Sequence, residues 1–238
     1  MSLPDPVYET KYDMLWVKIG NLWWSVENYA FFEEEDETPI PEIADKTAWN
    51  NAAANEESAY CWYNNTTDQA FRDKYGPLYN VFCLDVIKLP GADCRIPTLE
   101  DALYLGDFLV TNGYNWDGTT EGSKFAKSMA SSGGEYTASA TPGNAGNDQS
   151  SNNTSGFKLF PGGGRLDGDF VLVAQRGYFW VVGNNLRVQY DLPDVRLGVA
   201  ENIHRWGLPI RIVRDFEEPT PEIKKSFSLN FNTGLKIS

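Results

Sequence analysis

The stretch Gly156-Phe157-Lys158-Leu159-Phe160-Pro161-Gly162-Gly163-Gly164-Arg165 constrains the fold of this chain more than any other. Gly168, Phe170 and the run Tyr178-Phe179-Trp180 follow closely. Glycine admits sharp turns, and large rings demand close packing partners. A backbone this rich in both, with almost no helical periodicity, suits a loop-rich β domain that displays a surface. The stretch supplies no nucleophile and no metal-ligand cluster. Gly162-Gly163-Gly164 is not a phosphate cradle either, because no Lys-Ser or Lys-Thr follows it. A binding or structural module is expected, not an enzyme.

At 238 residues the chain suits one large domain or two small ones, and it buries roughly 70–75% of its unfolded surface without covalent staples. Aromatic residues reach 14%, with 8 Trp, 12 Tyr and 13 Phe, and core packing claims most of them. A net charge of −13 repels phosphate backbones, so nucleic acid is not an expected partner. One acidic run, Glu33-Glu34-Glu35-Asp36-Glu37, reads as a solvated loop, since consecutive acids lack the spacing of a calcium loop. Cys61, Cys83 and Cys94 allow at most one internal disulfide and fit no zinc pattern. Buried free thiols are expected, with no metal and no cofactor. Met1-Ser2-Leu3-Pro4-Asp5-Pro6 lacks the basic start and apolar core of a secretory signal. No apolar run approaches the roughly 20 residues of a membrane span, so membrane insertion is not expected.

Strands are expected over 15–29, where Trp16, Lys18 and Gly20, then Leu22 and Trp24, alternate around a Gly20-Asn21 turn. The alanine-rich 46–60 suits a short helix. The clearest helix begins after Pro97. Thr98 caps it, Asp101 gives a near capping box, Leu99, Ala102, Leu103 and Leu109 or Val110 form its stripe, and Gly113 closes it. A second short helix is expected over 122–130. The stretch 131–155, dominated by Ser, Gly, Asn, Ala and Thr, reads as a loop too polar to join the core. Strand-like segments follow at 170–174, 178–182, 186–190, 195–199 and 209–213. After a break at 217–221, residues 226–237 alternate as one or two terminal strands.

Taken in order, these residues resemble the Fibrobacter succinogenes major paralogous domain, a bacterial surface-protein family related to the C-type-lectin-like fold. Gly20-Asn21-Leu22-Trp23-Trp24 with Glu27-Asn28-Tyr29 carries the first part of the resemblance. Cys61-Trp62-Tyr63-Asn64-Asn65, Tyr75-Gly76-Pro77-Leu78-Tyr79-Asn80 and Arg95-Ile96-Pro97-Thr98 carry the middle. Gly156-Phe157, Pro161-Gly162-Gly163, Arg165, Tyr178-Phe179-Trp180, Gly207 and Arg211-Ile212-Val213-Arg214-Asp215 carry the end. The resemblance implies an α+β domain, C-type-lectin-like, with twisted antiparallel sheets, one or two short helices and long loops. It would occupy 17–216, between an N-terminal segment 1–16 and a strand-like extension 217–238. Family members often carry Cys where Ile212 stands, and Trp180-Val181-Val182-Gly183 replaces the usual Trp-Ser-Ser-Thr. The Glu-Pro-Asn and Gln-Pro-Asp sugar motifs of calcium-dependent lectins are not seen. Formylglycine-generating oxidases, of similar fold, need paired late cysteines, and none follows Cys94.

In the related fold the late segment forms the ligand-facing sheet and loops. Here Asn184, Asn185, Arg187, Gln189, Tyr190, Arg196, Asn202, His204, Arg205 and Trp206 stand between apolar residues. Any one of them alone is an ordinary solvated position. Together they form the expected ligand patch, because Arg, Trp, Tyr and Asn make adaptable contacts. His204 is the only histidine and has no nucleophile setting beside it. Trp116, in Tyr114-Asn115-Trp116-Asp117-Gly118, either stacks on a sugar ring or plugs the end of the preceding helix. The expected function is recognition or attachment, at a virion surface or a bacterial cell surface, of a cell-surface glycan or protein. Neighbouring chains of an assembly or homo-oligomer are expected partners, with the extension 217–238 adding a strand. The rivals are a purely structural decoration protein and a glycan-active hydrolase, since carboxylates are plentiful although no pair stands in apolar surroundings.

Overall fold

Alternation at period two builds an amino-terminal meander. In the computed structural model, which describes residues 3–198 and 203–215, β1 (Val7–Lys11), β2 (Met14–Ile19) and β3 (Leu22–Ser25) pair antiparallel in sequence. Gly20 takes φ +63° in the expected turn between β2 and β3, a conformation that glycine adopts without strain. β1 lies within 1–16, where no strand was expected. The last described strand, β12 (Val213–Asp215), inserts between β3 and β6 (Cys94–Arg95). The sheet order is therefore β1-β2-β3-β12-β6, which joins both ends of the described chain in one sheet. The strand expected over 209–213 is shorter and shifted. Upstream of β12, Leu208 and Ile210 make only isolated bridges, to Tyr79 and Tyr29.

A second sheet has the order β11-β10-β9, from β9 (Arg176–Val181), β10 (Asn184–Gln189) and β11 (Val195–Gly198). Two short ribbons pair β4 (Tyr60–Cys61) with β5 (Leu78–Tyr79), and β7 (Gly164–Leu166) with β8 (Asp169–Val171). All ladders are antiparallel. Among the described residues five α-helices complete the mixed α and β architecture, more than the one or two short ones expected: α1 (Lys46–Ala54), α2 (Gln69–Tyr75), α3 (Cys83–Val86), α4 (Leu99–Thr111) and α5 (Ala126–Met129). Side chains cap three of them. Asp45 accepts from the Ala48 amide, and Asp68 from that of Ala70. Thr98 and Asp101 exchange hydrogen bonds as a capping box, as the sequence predicts. No helix among the described residues is long and apolar enough to cross a membrane.

The β9–β11 sheet lies between two aromatic cores. Phe179, Val181, Leu186 and Val188 face one, where Phe179 meets Trp24 and Phe157 at 6.0 and 5.5 Å. Tyr178 and Trp180 face the other, and the Trp180 indole donates to the Tyr79 carbonyl at 2.7 Å. Arginines hold this framework from inside. Arg211 is fully buried and donates to the Asn28 side chain and to the Ser25, Phe157 and Lys158 carbonyls. Arg165 lies between the rings of Trp49 and Phe170 and donates to the Ile43 and Ala44 carbonyls. Arg214 rests over Trp16 and Trp23 and pairs with Glu9.

The stretch 131–155 corrects the expectation of a loop outside the core. Tyr136 is only 3% exposed and donates to the Leu159 carbonyl at 3.0 Å. Asn152 is also buried and donates to the Ser131 and Ala145 carbonyls. Polar side chains bury here because each finds a backbone acceptor. Cys61, Cys83 and Cys94 are free and buried. The extension 217–238, including the strands expected over 226–237, lies outside the described residues.

Candidate functional site

The predicted patch separates into three places. The first is the β9–β11 sheet. Residues alternate between its faces, so Arg187 and Gln189 on β10 project to one side and Asn184 and Tyr190 to the other. Tyr190 packs against the first core. Arg187 stands opposite Tyr178 and Arg196, and Gln189 stands opposite Arg176. Asn185 shares the Arg187 face but is fully buried, with its amide donating to the Gly198 carbonyl at 3.0 Å. Asn185 therefore locks β10 to β11 and presents nothing to a ligand. Gln189 is half-buried and donates to Asp191, while the exposed Arg196 pairs with Asp194.

The second place is the single turn Ile203–Arg205 with Trp206. His204 packs on the Phe82 ring at 5.3 Å. The Arg205 carbonyl accepts from the buried Trp49 indole at 3.0 Å, and Trp206 is half-buried against the second core. His204 and Arg205 are exposed, but this turn packs on α1 rather than on the Arg187 face. Asn202 lies outside the described residues.

The third place surrounds Trp116. Tyr114, 8% exposed, packs into the core after α4, so it plugs the helix end. Trp116 is 45% exposed and points away. Its loop is latched by the buried Asn115, whose amide donates to the Thr119, Glu121 and Gly122 carbonyls while its oxygen accepts from the Lys124 amide. Asp117 accepts from Lys124 and Thr119, both at 2.7 Å, and these bonds push its carboxyl pKa down to about 2. The indole is thus held on a pre-ordered mount. It borders a cleft of about 350 Å³ whose other wall comes from 142–154. Gly143 lies beneath the ring, at φ +86°, and a Cβ there would overlap the indole. Asp148, at φ +40°, exposes a carboxylate held by Ser150, while Lys127 donates to the Asn147 and Asp148 carbonyls. Ser151 and Thr154 complete a polar lining. These cleft residues were not legible in the low-complexity loop, and only Trp116 was singled out.

The chemistry of the remaining candidates is quiet. Burial pushes the Cys61 and Cys83 thiols up to about 12 and Cys94 to about 11, so none is poised as a thiolate. No group of three His, Cys, Asp or Glu that could hold a metal occurs among the described residues.

The profile of the Fibrobacter succinogenes major domain family matches residues 17–214. No curated protein and no solved structure matches the chain.

Proposed function

The chain belongs to the Fibrobacter succinogenes major domain family, and from that premise we propose that it is a non-enzymatic recognition module that binds a glycan. On this reading the fold is a C-type-lectin-like α+β arrangement displayed on a virion or bacterial cell surface. One observation carries the reading. Of the eight tryptophans, only Trp116 is exposed, and it is held at the mouth of a cleft lined by hydroxyl, amide and carboxylate groups. A rigid indole offers a face to the C–H side of a sugar ring, and the polar wall offers partners for its hydroxyls. Asp148, whose Ser150 and Ser151 hydrogen bonds hold its carboxyl below the ordinary range, remains an anionic acceptor at neutral pH. The test is an array of bacterial envelope oligosaccharides probed with the wild type and with Trp116→Ala. Specific binding lost in the variant, with an unchanged melting temperature, supports the reading. No binding, or equal binding by both proteins, overturns it.

A second reading, assembly with another chain, is favoured by a different observation. Leu103 on α4 and Leu197 on β11 are exposed on either side of an apolar groove floored by Phe125 and Leu186. Sedimentation of the wild type and of Leu103→Glu separates the two readings: a concentration-dependent oligomer abolished by the variant belongs to assembly.

A further inference from the structure

Three arginines meet at one end of the β9–β11 sheet. Arg187 stands directly opposite Arg196, and Arg176 stands opposite Gln189, the next residue along β10 on the same face. Directly opposite strand residues project to the same side with Cβ atoms about 5 Å apart, and diagonal neighbours remain within reach of long side chains. Such a cluster of cations is not the background of a chain whose net charge is −13.

The polar groups around it do not balance. Arg176 donates to the Tyr178 hydroxyl at 3.0 Å, and Arg196 pairs with Asp194 at 3.0 Å. Arg187 is half-buried, and its Nε is buried with no acceptor. Burial pulls the Arg187 pKa below its ordinary value, and Arg176 and Arg196 add to this against Tyr178 and Asp194. A buried guanidinium N–H with no acceptor is an uncommon, costly arrangement, and the partly exposed remainder of the Arg187 side chain lies beside Arg176 and Arg196. β11 carries Gly198 beside this guanidinium, where an added Cβ would press within 3.2 Å of the Asn185 amide and touch Arg187 Nη1 at 3.5 Å. A planar guanidinium fork suits the paired oxygens of a carboxylate, sulfate or phosphate.

We propose that Arg176, Arg187 and Arg196 form a binding site for one oxyanion carried by the ligand, with the terminal Nη groups of Arg187 at its centre. The Gly146 amide donates to the Tyr190 carbonyl at 2.7 Å, which ties the far wall of the Trp116 cleft to the chain just after β10. An acidic glycan is the ligand class that would carry such an oxyanion, and this part of the inference rests on the recognition reading. The oxyanion site itself does not.

The experiment follows the Arg187 side-chain Nε–Hε resonance while sodium sulfate, phosphate or glucuronate is added at constant ionic strength. A saturable shift of that resonance in the wild type, with affinity read by calorimetry weakened about tenfold or more in Arg187→Gln, which lacks the resonance, and also weakened in the surface variant Arg196→Gln, is the expected result. The ranking of the three anions identifies the source of the oxyanion. No saturable shift, or equal binding by Arg187→Gln with its melting temperature retained, overturns the proposal. Neutral oligosaccharides that bind through Trp116 without any oxyanion response leave the recognition reading standing and sink this one. An oxyanion response with no glycan binding does the reverse.

Discussion

The Arg211 guanidinium donates to the Asn28 side-chain oxygen at 2.7 Å, across 183 residues of chain. The same group reaches the Ser25, Phe157 and Lys158 carbonyls, so one side chain joins the end of β3, the glycine-rich stretch and the approach to β12. Removing it leaves several buried acceptors unpaired. Arg211→Met is expected to cost about 3–5 kcal/mol in urea unfolding. Arg211→Lys should recover little, because a single ammonium cannot reproduce the fork. A loss below about 1 kcal/mol would mean that the acceptors find other partners.

Folding is expected to proceed without disulfides. The three cysteines are free and buried, and their thiols are pushed up to about 11 or 12 by burial. Melting temperatures with and without reductant should agree within about 2 °C. A thiol reagent should label the protein only after denaturation. Rapid labelling of the native protein would show that the core opens.

The Asp117 carboxyl reports on the Trp116 mount. Its pKa is depressed from 3.8 to about 2, chiefly by the Lys124 hydrogen bond and then by Thr119. A depressed acid contributes stability above its unfolded pKa and loses that contribution as pH falls through the folded value. The latched loop should therefore persist down to pH 4 and loosen between about 4 and 2. Carbon-detected titration should place the Asp117 midpoint near 2, whereas a midpoint near 3.8 would mean that the Lys124 bond does not form in solution.

Gly143→Ala tests the ring's seat. The added methyl would overlap the Trp116 indole, and φ +86° disfavours any side chain. The exposed ring is expected to swing out, changing its fluorescence and its access to acrylamide. The stability cost should be about 1 kcal/mol. An unchanged emission spectrum would show that the ring does not rest on Gly143.

Much of the fold was legible in the sequence where the determining residues are neighbours in the chain. The Thr98–Asp101 capping box and the Gly20-Asn21 turn are local devices, and both stand where they were expected. What was not legible depends on distant partners. Nothing around Arg165 signals that it will lie between Trp49 and Phe170. Tyr136 and Asn152 enter the core only because backbone carbonyls far along the chain receive them. The ligand patch was read as a run of polar residues, whereas a strand shows alternate faces. Asn185 was therefore grouped with Arg187, although burial makes it a lock between β10 and β11. Arg176 was missed because the run Tyr178-Phe179-Trp180 that follows it reads as core.

The most direct test of the account is the indole N–H spectrum of the 15N-labelled protein, with the Trp116 peak assigned through Trp116→Phe. The probe is an acidic bacterial envelope oligosaccharide selected on the array. The account predicts that, among the eight tryptophan signals, the Trp116 peak moves saturably and most strongly. A ligand that binds while leaving the Trp116 peak unmoved would contradict the account.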